Sequence, residues 1–226
     1  MKNEIIPVEM KMANAYIIKN ENSVIVDTGV KGNIEKIFTV MRDNGIEKES
    51  LKAIIITHAH DDHYGNAAEL KKITGAEIII HKKDHETMKA GENVPFKARN
   101  LFGKFILNFI KNNGINSKVD GIQADTVISG KTYDLSEYGV DARIIHTPGH
   151  TPGSVCVAVG EEHIIIGDLL MGKIMNPAKP GYPIWVDDIS SLNRSIKKMR
   201  DMNFKKWYPA HGKIYSASTV MDAFTF

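Results

Sequence analysis

The chain has 226 residues, 42% hydrophobic and 25% charged, an ordinary globular balance that excludes extended disorder and suffices for a substantial core. With 29 basic and 27 acidic residues the formal net charge is +2, too even to make an electrostatic claim on nucleic acid. The single cysteine, Cys156, excludes an intrachain disulfide and a thiolate-rich metal site, and no apolar run approaches the roughly 18 residues of a membrane span.

The opening Met1–Pro7 has no apolar stretch of signal-peptide length, so a soluble cytoplasmic protein without stable membrane insertion is expected. Strand-like runs follow at Ile5–Val8 and Ala15–Ile18, and Val24–Val26 runs into the turn signal Asp27-Thr28-Gly29. The spacing of Ile34, Ile37, Phe38 and Met41 predicts a helix over Gly32–Asn44, stopped by Gly45. Ala53–Ile56 suits a strand buried on both faces and leads into Thr57-His58-Ala59-His60-Asp61-Asp62-His63. A helix over Gly65–Thr74, closed by Gly75, and a buried strand at Ile78–Ile80 come next. From about Lys82 to Asp125 the rhythm breaks, and Phe96–Ile110 reads as one or two inserted helices. Strands return at Thr126–Ile128, Ala142–Ile145, Val155–Val159 and His163–Ile166; Cys156 lies in one of them and reads as a buried, inert thiol. Gly and Pro between Met171 and Pro183 predict a long loop. A helix over Asp187–Met202 carries Ile189, Leu192, Ile196 and Met199 on one face, and a last strand spans Lys205–Pro209. Such an order suits one α/β domain over 1–226, sheets with helices outside them, carrying a helical insert at about 82–125.

The nine histidines are not scattered evenly, for His58, His60 and His63 fall within six residues. In an extended segment His58 and His60 project to one side. Asp62 and His63 begin the turn into the next helix and can face another point, so one segment could feed two adjacent metal positions. Imidazole and carboxylate suit zinc and similar divalent ions. Further candidates stand at strand ends: His150 in Thr147-Pro-Gly-His-Thr-Pro-Gly153, Asp168 after Ile164-Ile-Ile-Gly167, and His211 after Tyr208-Pro-Ala210. Taken alone, an aspartate such as Asp62 or Asp168 reads as a helix cap or turn residue; the constellation is what raises both to ligands. Asp61 should point away or cap its helix, and His81, His85, His146 and His163 match no ligand position; His81 and His85 read as surface residues.

The motif His58-x-His60-x-Asp62-His63, followed by His150, Asp168 and His211 and preceded by Asp27, resembles the metallo-β-lactamase superfamily from about residue 24 to 212. That resemblance implies a four-layer αβ/βα sandwich with two divalent metal ions at one edge, zinc first, with iron or manganese accepted by the same donors. It gives His58, His60 and His150 to the first metal, Asp62, His63 and His211 to the second, and Asp168 to both. Two metals about 3.5–4 Å apart can share a hydroxide and stabilise an oxyanion. Asp62 could orient that hydroxide or pass a proton to the leaving group, and Asp27 is placed to hold a ligand histidine.

Within that family, Asp168 stands where the antibiotic-hydrolysing zinc enzymes use cysteine, and His60 where the diiron flavoproteins place Glu, so both branches are disfavoured. The stretch Thr147–Ser154 looks like the glyoxalase II and lactonase branch, although the short tail after His211 and Met171 in place of a tyrosine depart from each. The expected activity is hydrolysis of an ester or thioester in a small-molecule substrate. The alternatives are a lactonase, a mononuclear iron oxygenase resembling the persulfide dioxygenases, with iron on His58, His150 and Asp168, and a non-enzymatic metal-binding protein. Lys97, Lys104 and Lys111 would share one line of the inserted helix. Leu101, Phe102, Phe105, Ile106, Phe109 and Ile110 would cover much of the rest. The segment 96–111 is then a packing cap, a lid over a partly apolar substrate, or a contact surface, a homodimer included.

Overall fold

The computed structural model describes residues 3–112 and 119–225. In chain order the first half holds β1 (Glu4–Val8), β2 (Ala15–Lys19), β3 (Ser23–Val26), α1 (Ile34–Asp43), β4 (Leu51–Ile55), α2 (Asp61–Tyr64), α3 (Ala67–Thr74), β5 (Glu77–His81), α4 (Lys82–Lys89), α5 (Leu101–Asn112) and β6 (Thr126–Ile128). The second holds β7 (Thr132–Asp134), β8 (Ala142–His146), β9 (Val155–Val159), β10 (His163–Gly167), β11 (Met171–Lys173), β12 (Asn176–Gly181), α6 (Ile189–Asp201), β13 (Lys206–Pro209), β14 (Tyr215–Ser216) and α7 (Ala217–Ala223). Strands β1 to β6 form one six-stranded sheet in sequence order; a second sheet runs β14-β13-β10-β9-β8-β7. The pairs β3–β4, β4–β5, β5–β6 and β10–β13 are parallel.

Why the layers stack follows from alternation along the strands. Ile17, Ile25, Ile54 and Ile78 face a core shared with Ile37 and Met41 of α1 and Leu70 of α3. Their neighbours Ile18, Val24, Ile55 and Ile79 face the opposite way and pack against Ile144, Val157 and Ile165 of the second sheet. On that sheet's far side Cys156, Ile164 and Ile166 meet Leu192, Ile196 and Met199 of α6 and Val220 of α7. Three apolar layers therefore separate helix, sheet, sheet and helix, which is the four-layer sandwich expected. A strand interior to such a stack is buried on both faces, which is why Ala53–Ile55 of β4, Ile78–Ile80 of β5 and the whole of β9 read as unbroken apolar runs. Among the described residues no helix is long and apolar enough to cross a membrane.

Several expectations need correction. The Gly- and Pro-rich stretch from Met171 is not all loop: β11 and β12 pair as a bulged two-stranded ribbon. Its prolines lose little there, because the ribbon has no further neighbour whose ladder their missing N–H would break. His81 and His85 are buried, not superficial. The His81 ring stacks on His146, centroids 3.9 Å apart, and the His85 Nε2 meets the Gln123 side chain at 2.9 Å. Helix α4 starts directly from the last residue of β5, which folds both histidines under it. Ile189 stands exposed at the first turn of α6, off the buried face. Within the stretch 82–125 the helices are α4 and α5; residues 113–118 and the side chains of Phe102, Phe109, Ile110 and Lys111 lie outside the described residues.

Candidate metal centre

The loops that follow β3, β4, β10 and β13, together with the connection from β8 to β9, converge at one edge of the sandwich, bringing Asp27, His58 to His63, His150, Asp168 and His211 together. The backbone there is tightly constrained. Asp27 is held at φ +61°, and Gly167 at φ +48°, where a Cβ would stand 2.9 Å from the Thr57 side chain. Glycine at 167 thus lets the second sheet deliver Asp168 against the loop that follows β4.

Three ring nitrogens meet first. The His58 Nε2 is 3.0 Å from His60 Nδ1 and 3.1 Å from His150 Nε2, and the last two are 3.1 Å apart. Their far nitrogens fix the tautomers. His60 Nε2 donates to the Val94 carbonyl at 3.1 Å and His150 Nδ1 to the Trp185 carbonyl at 2.8 Å. The Thr57 hydroxyl has one proton, which it gives to Asp27 Oδ2 at 2.8 Å, so it must accept from His58 Nδ1 at 3.0 Å. All three inward nitrogens therefore carry lone pairs aimed at one point. Three lone pairs that close repel one another unless a cation lies between them.

A second group adjoins the first. His63 Nδ1 donates to Asp27 Oδ2 at 2.8 Å, which leaves its Nε2 buried and without a hydrogen-bond partner, 3.7 Å from Asp62 and 3.6 Å from Asp168. His211 Nε2 lies 3.3 Å from Asp62 and 3.5 Å from Asp168 Oδ1. Asp168 stands between the groups: its Oδ2 is 3.5 Å from His150 Nε2, while its Oδ1 faces His63 and His211 and is itself unpartnered. All seven residues proposed as ligands are thus in one cluster; Asp61 is not. Orphaned buried donors and acceptors of these kinds are rare in folded proteins, and a histidine and carboxylate set is one that divalent cations take. The residues fit the metal ions that the motif implies.

Electrostatics divides the two groups. Burial and the neighbouring histidines hold the His58 imidazole well below its ordinary pKa; burial with His150 brings His60 to about 3, and burial brings His150 to about 4. These three stay neutral. Burial also disfavours a charge on His63, but Asp27, Asp62 and Asp168 outweigh it and raise the group to about 10. His211 is raised too, burial being overcome by Asp168 and Asp62. Burial pushes the Asp62 carboxyl up, yet His63 and His211 together hold it well below the usual carboxylate range. The second group therefore calls for positive charge among its carboxylates, while the first offers only neutral donors.

Behind these residues lie groups that the sequence did not single out. Asp84, fully buried in α4, accepts from the Ala59 N–H at 3.2 Å, the Thr151 hydroxyl at 2.6 Å and the Gly153 N–H at 2.7 Å. It clamps the backbone between His58 and His60 to the loop that carries His150. Its only local signal is an acid in the first turn of a helix after a buried strand. Thr57 joins Asp27 to both His58 and His63. Phe96, from the insert, stacks on His60 with centroids 4.5 Å apart and leans on Trp185 at 5.5 Å. Cys156 is buried and, desolvated, its thiol is pushed up to about 12, as an inert thiol should be.

Comparison with known proteins places this geometry. The family model of the metallo-beta-lactamase superfamily matches residues 9–211, and the chain belongs to that superfamily. Over 209 residues it is 27% identical to a probable metallo-hydrolase of Methanocaldococcus jannaschii, covering 89% of this chain and 88% of the relative. The hydroxyacylglutathione hydrolase GloC of Haemophilus influenzae is 29% identical over 174 residues, 75% of this chain and 72% of that one. Among solved structures, the BLEG-1 B3 metallo-beta-lactamase superposes with a TM-score of 0.73 at 23% identity, over 97% of this chain and 96% of the other, a likeness of fold. The protein has the metallo-beta-lactamase fold, and its His and Asp clusters are groups that could hold divalent metal ions.

Proposed function

We propose that the protein hydrolyses a thioester or other ester of a small, partly apolar substrate, using two divalent cations, zinc first, held by His58, His60 and His150 on one side and Asp62, His63 and His211 on the other, with Asp168 reaching both. The observation that carries this is the arrangement around Asp168. One of its oxygens lies 3.5 Å from His150 Nε2, one of the three inward nitrogens, and the other faces a second, carboxylate-rich group with orphaned atoms. The similarity to GloC favours a thioester. Bound there, the cations would supply Lewis acidity toward water and toward a carbonyl oxygen.

The chain's own residues do the rest. Val94, Trp185 and Thr57 fix the three neutral imidazoles with their lone pairs inward. Asp62, held ionised by His63 and His211, can accept a hydrogen bond at its carboxylate and so orient an attacking water. Phe96 covers His60 and keeps water from that side. His211 and Asp62, with side chains 23% and 18% exposed, mark the open side from which a substrate arrives.

The test is metal analysis joined to a panel of generic esters, thioesters and lactones. Two equivalents of divalent metal and chelator-sensitive cleavage of an ester or thioester are expected. One iron with oxygen consumption, or full metal content without cleavage of any panel member, would overturn the reading; preference for lactones would move it to the lactonase branch.

A further inference from the structure

Beside the centre lies a cleft of about 530 Å³, within the usual range for small-ligand sites. Met171, Tyr182, Ile184 and Phe224 give it apolar walls, and Arg99 and Lys173 stand in its lining without any acidic residue among them. Two of these walls, Met171 and Ile184, are tied through the backbone to the candidate metal centre. Met171 is three residues beyond Asp168, and the adjoining Gly172 N–H donates to the His211 carbonyl at 2.6 Å. Ile184 precedes Trp185, whose carbonyl holds His150, and the Arg99 N–H donates to the Ile184 carbonyl at 3.2 Å.

The Arg99 guanidinium is positioned but not neutralised. Its central carbon lies 5.4 Å from the centroid of Tyr182. That ring is fixed in turn by a 2.8 Å bond from its hydroxyl to Asn193 and an edge contact with Phe224 at 5.0 Å. Asp187, on the same strip as Ile184, is already paired with Lys97. Among the described residues neither Arg99 nor Lys173 forms an ion pair with a carboxylate. A guanidinium stacked on an aromatic face keeps its planar fork of N–H donors open for an oxyanion. Another cleft, about 570 Å³ and lined by Gly212 next to His211, contains both Glu9 and Lys213 and so carries no such sign preference.

We infer that this cleft is a binding subsite for the non-reacting part of the substrate, an apolar chain bearing an oxyanion that pairs with Arg99 and Lys173. Calling the ligand a substrate rests on the hydrolase reading above, whereas its binding does not.

Calorimetric titration of the metal-replete protein with octanoate, octyl phosphate and 1-octanol, and with acetate and inorganic phosphate as chainless counterparts, tests this. At least one eight-carbon anion is expected to bind roughly tenfold or more tightly than octanol and than its chainless counterpart, the scale of a charge-assisted hydrogen bond. Which anion wins separates a carboxylate site from a phosphate site. Arg99→Ala should cost that anion about tenfold and leave octanol unchanged, Arg99→Lys should restore part, and Lys173→Ala should cost less. Binding unaltered by Arg99→Ala, equal losses for octanol and the anions, or no binding by either long-chain anion would overturn the subsite. The ester panel run in parallel keeps the two readings apart. Anion binding without hydrolysis strikes the hydrolase and leaves the cleft, while hydrolysis without anion binding does the reverse.

Discussion

At the edge of the sandwich, four of the five clustered histidines are buried, and each passes its outer N–H to a carbonyl, a hydroxyl or a carboxylate. Seven residues beyond Val94, where α5 begins, the plan reverses: Leu101 is 82% exposed and Phe105 70%. The insert thus has two parts. Its Val94 and Phe96 belong to the centre's wall, while Leu101 and Phe105 of α5 stand largely exposed. The contrast teaches where precision is needed. Ligand geometry tolerates little displacement, so it is held by buried, mutually satisfied polar groups; a surface that meets variable or mobile partners needs no such support. Substitutions in the wall and on the outer face should accordingly differ in kind.

The largest effect is expected for His58→Ala or His150→Ala. Either removes one of three converging nitrogens, and hydrolysis of the best panel substrate should fall by roughly a thousandfold or more, the several kcal/mol that a well-held Lewis-acidic cation supplies. Bound metal measured on the purified variants should fall with it. Wild-type rate and metal content in both variants would remove the wall's claim to be catalytic.

Asp27→Asn comes next. The amide cannot accept from the Thr57 N–H, the Thr57 hydroxyl and His63 Nδ1 as the carboxylate does, so His63 loses its fixed tautomer. A loss of roughly 10–100-fold in metal affinity is expected, and it should fall mainly on the carboxylate-rich group. Stepwise titration against a chromophoric chelator would show one weakened equivalent; two unchanged equivalents would contradict it.

Asp84→Asn should act more gently and through the backbone. One of the three buried donors it satisfies is left without a carboxylate oxygen, a cost of about 1–3 kcal/mol. For a chain of this size that lowers the melting temperature by several degrees. Because Asp84 joins the His58–His60 loop to the His150 loop, the first metal equivalent should weaken as well. A melting curve and a chelator titration both identical to the parent's would show that the clamp does not position the ligands.

How much of this was legible in the sequence depends on whether the signal is local. Sheets and helices announce themselves because burial on one face or two leaves a period in neighbouring residues; the run at Val155–Val159 is β9 to the residue, and that at Ala53–Ile56 overlaps β4, which begins two residues earlier and ends one earlier. The cluster was legible because His58, His60, Asp62 and His63 share one short loop, and His150, Asp168 and His211 each follow a strand. Asp84 was not, since its partners are Ala59, Thr151 and Gly153, far away along the chain, and two of the three are backbone N–H groups that carry no residue signature. The carbonyls of Val94 and Trp185 are invisible for the same reason. Composition misled at 171–183, where Gly and Pro marked a ribbon as loop, and at His81 and His85, whose burial depends on how α4 docks.

The smallest effect, and the sharpest check on the outer face, is expected for the double substitution Leu101→Ser and Phe105→Ser. The two side chains lie one helical turn apart and are largely exposed, so their removal sacrifices little buried apolar surface. Stability should change by no more than about 0.5 kcal/mol, a shift of roughly one or two degrees in melting temperature. Metal content should stay at the parental value, since Val94 and Phe96 keep their contacts with His60. Hydrolysis of a short, water-soluble ester should remain within about twofold, on the same reasoning that a surface substitution away from the centre is nearly neutral. A drop of several degrees, or metal lost on purification, would show that α5 is packed as firmly as the wall it follows, and the division between the two parts of the insert would fail.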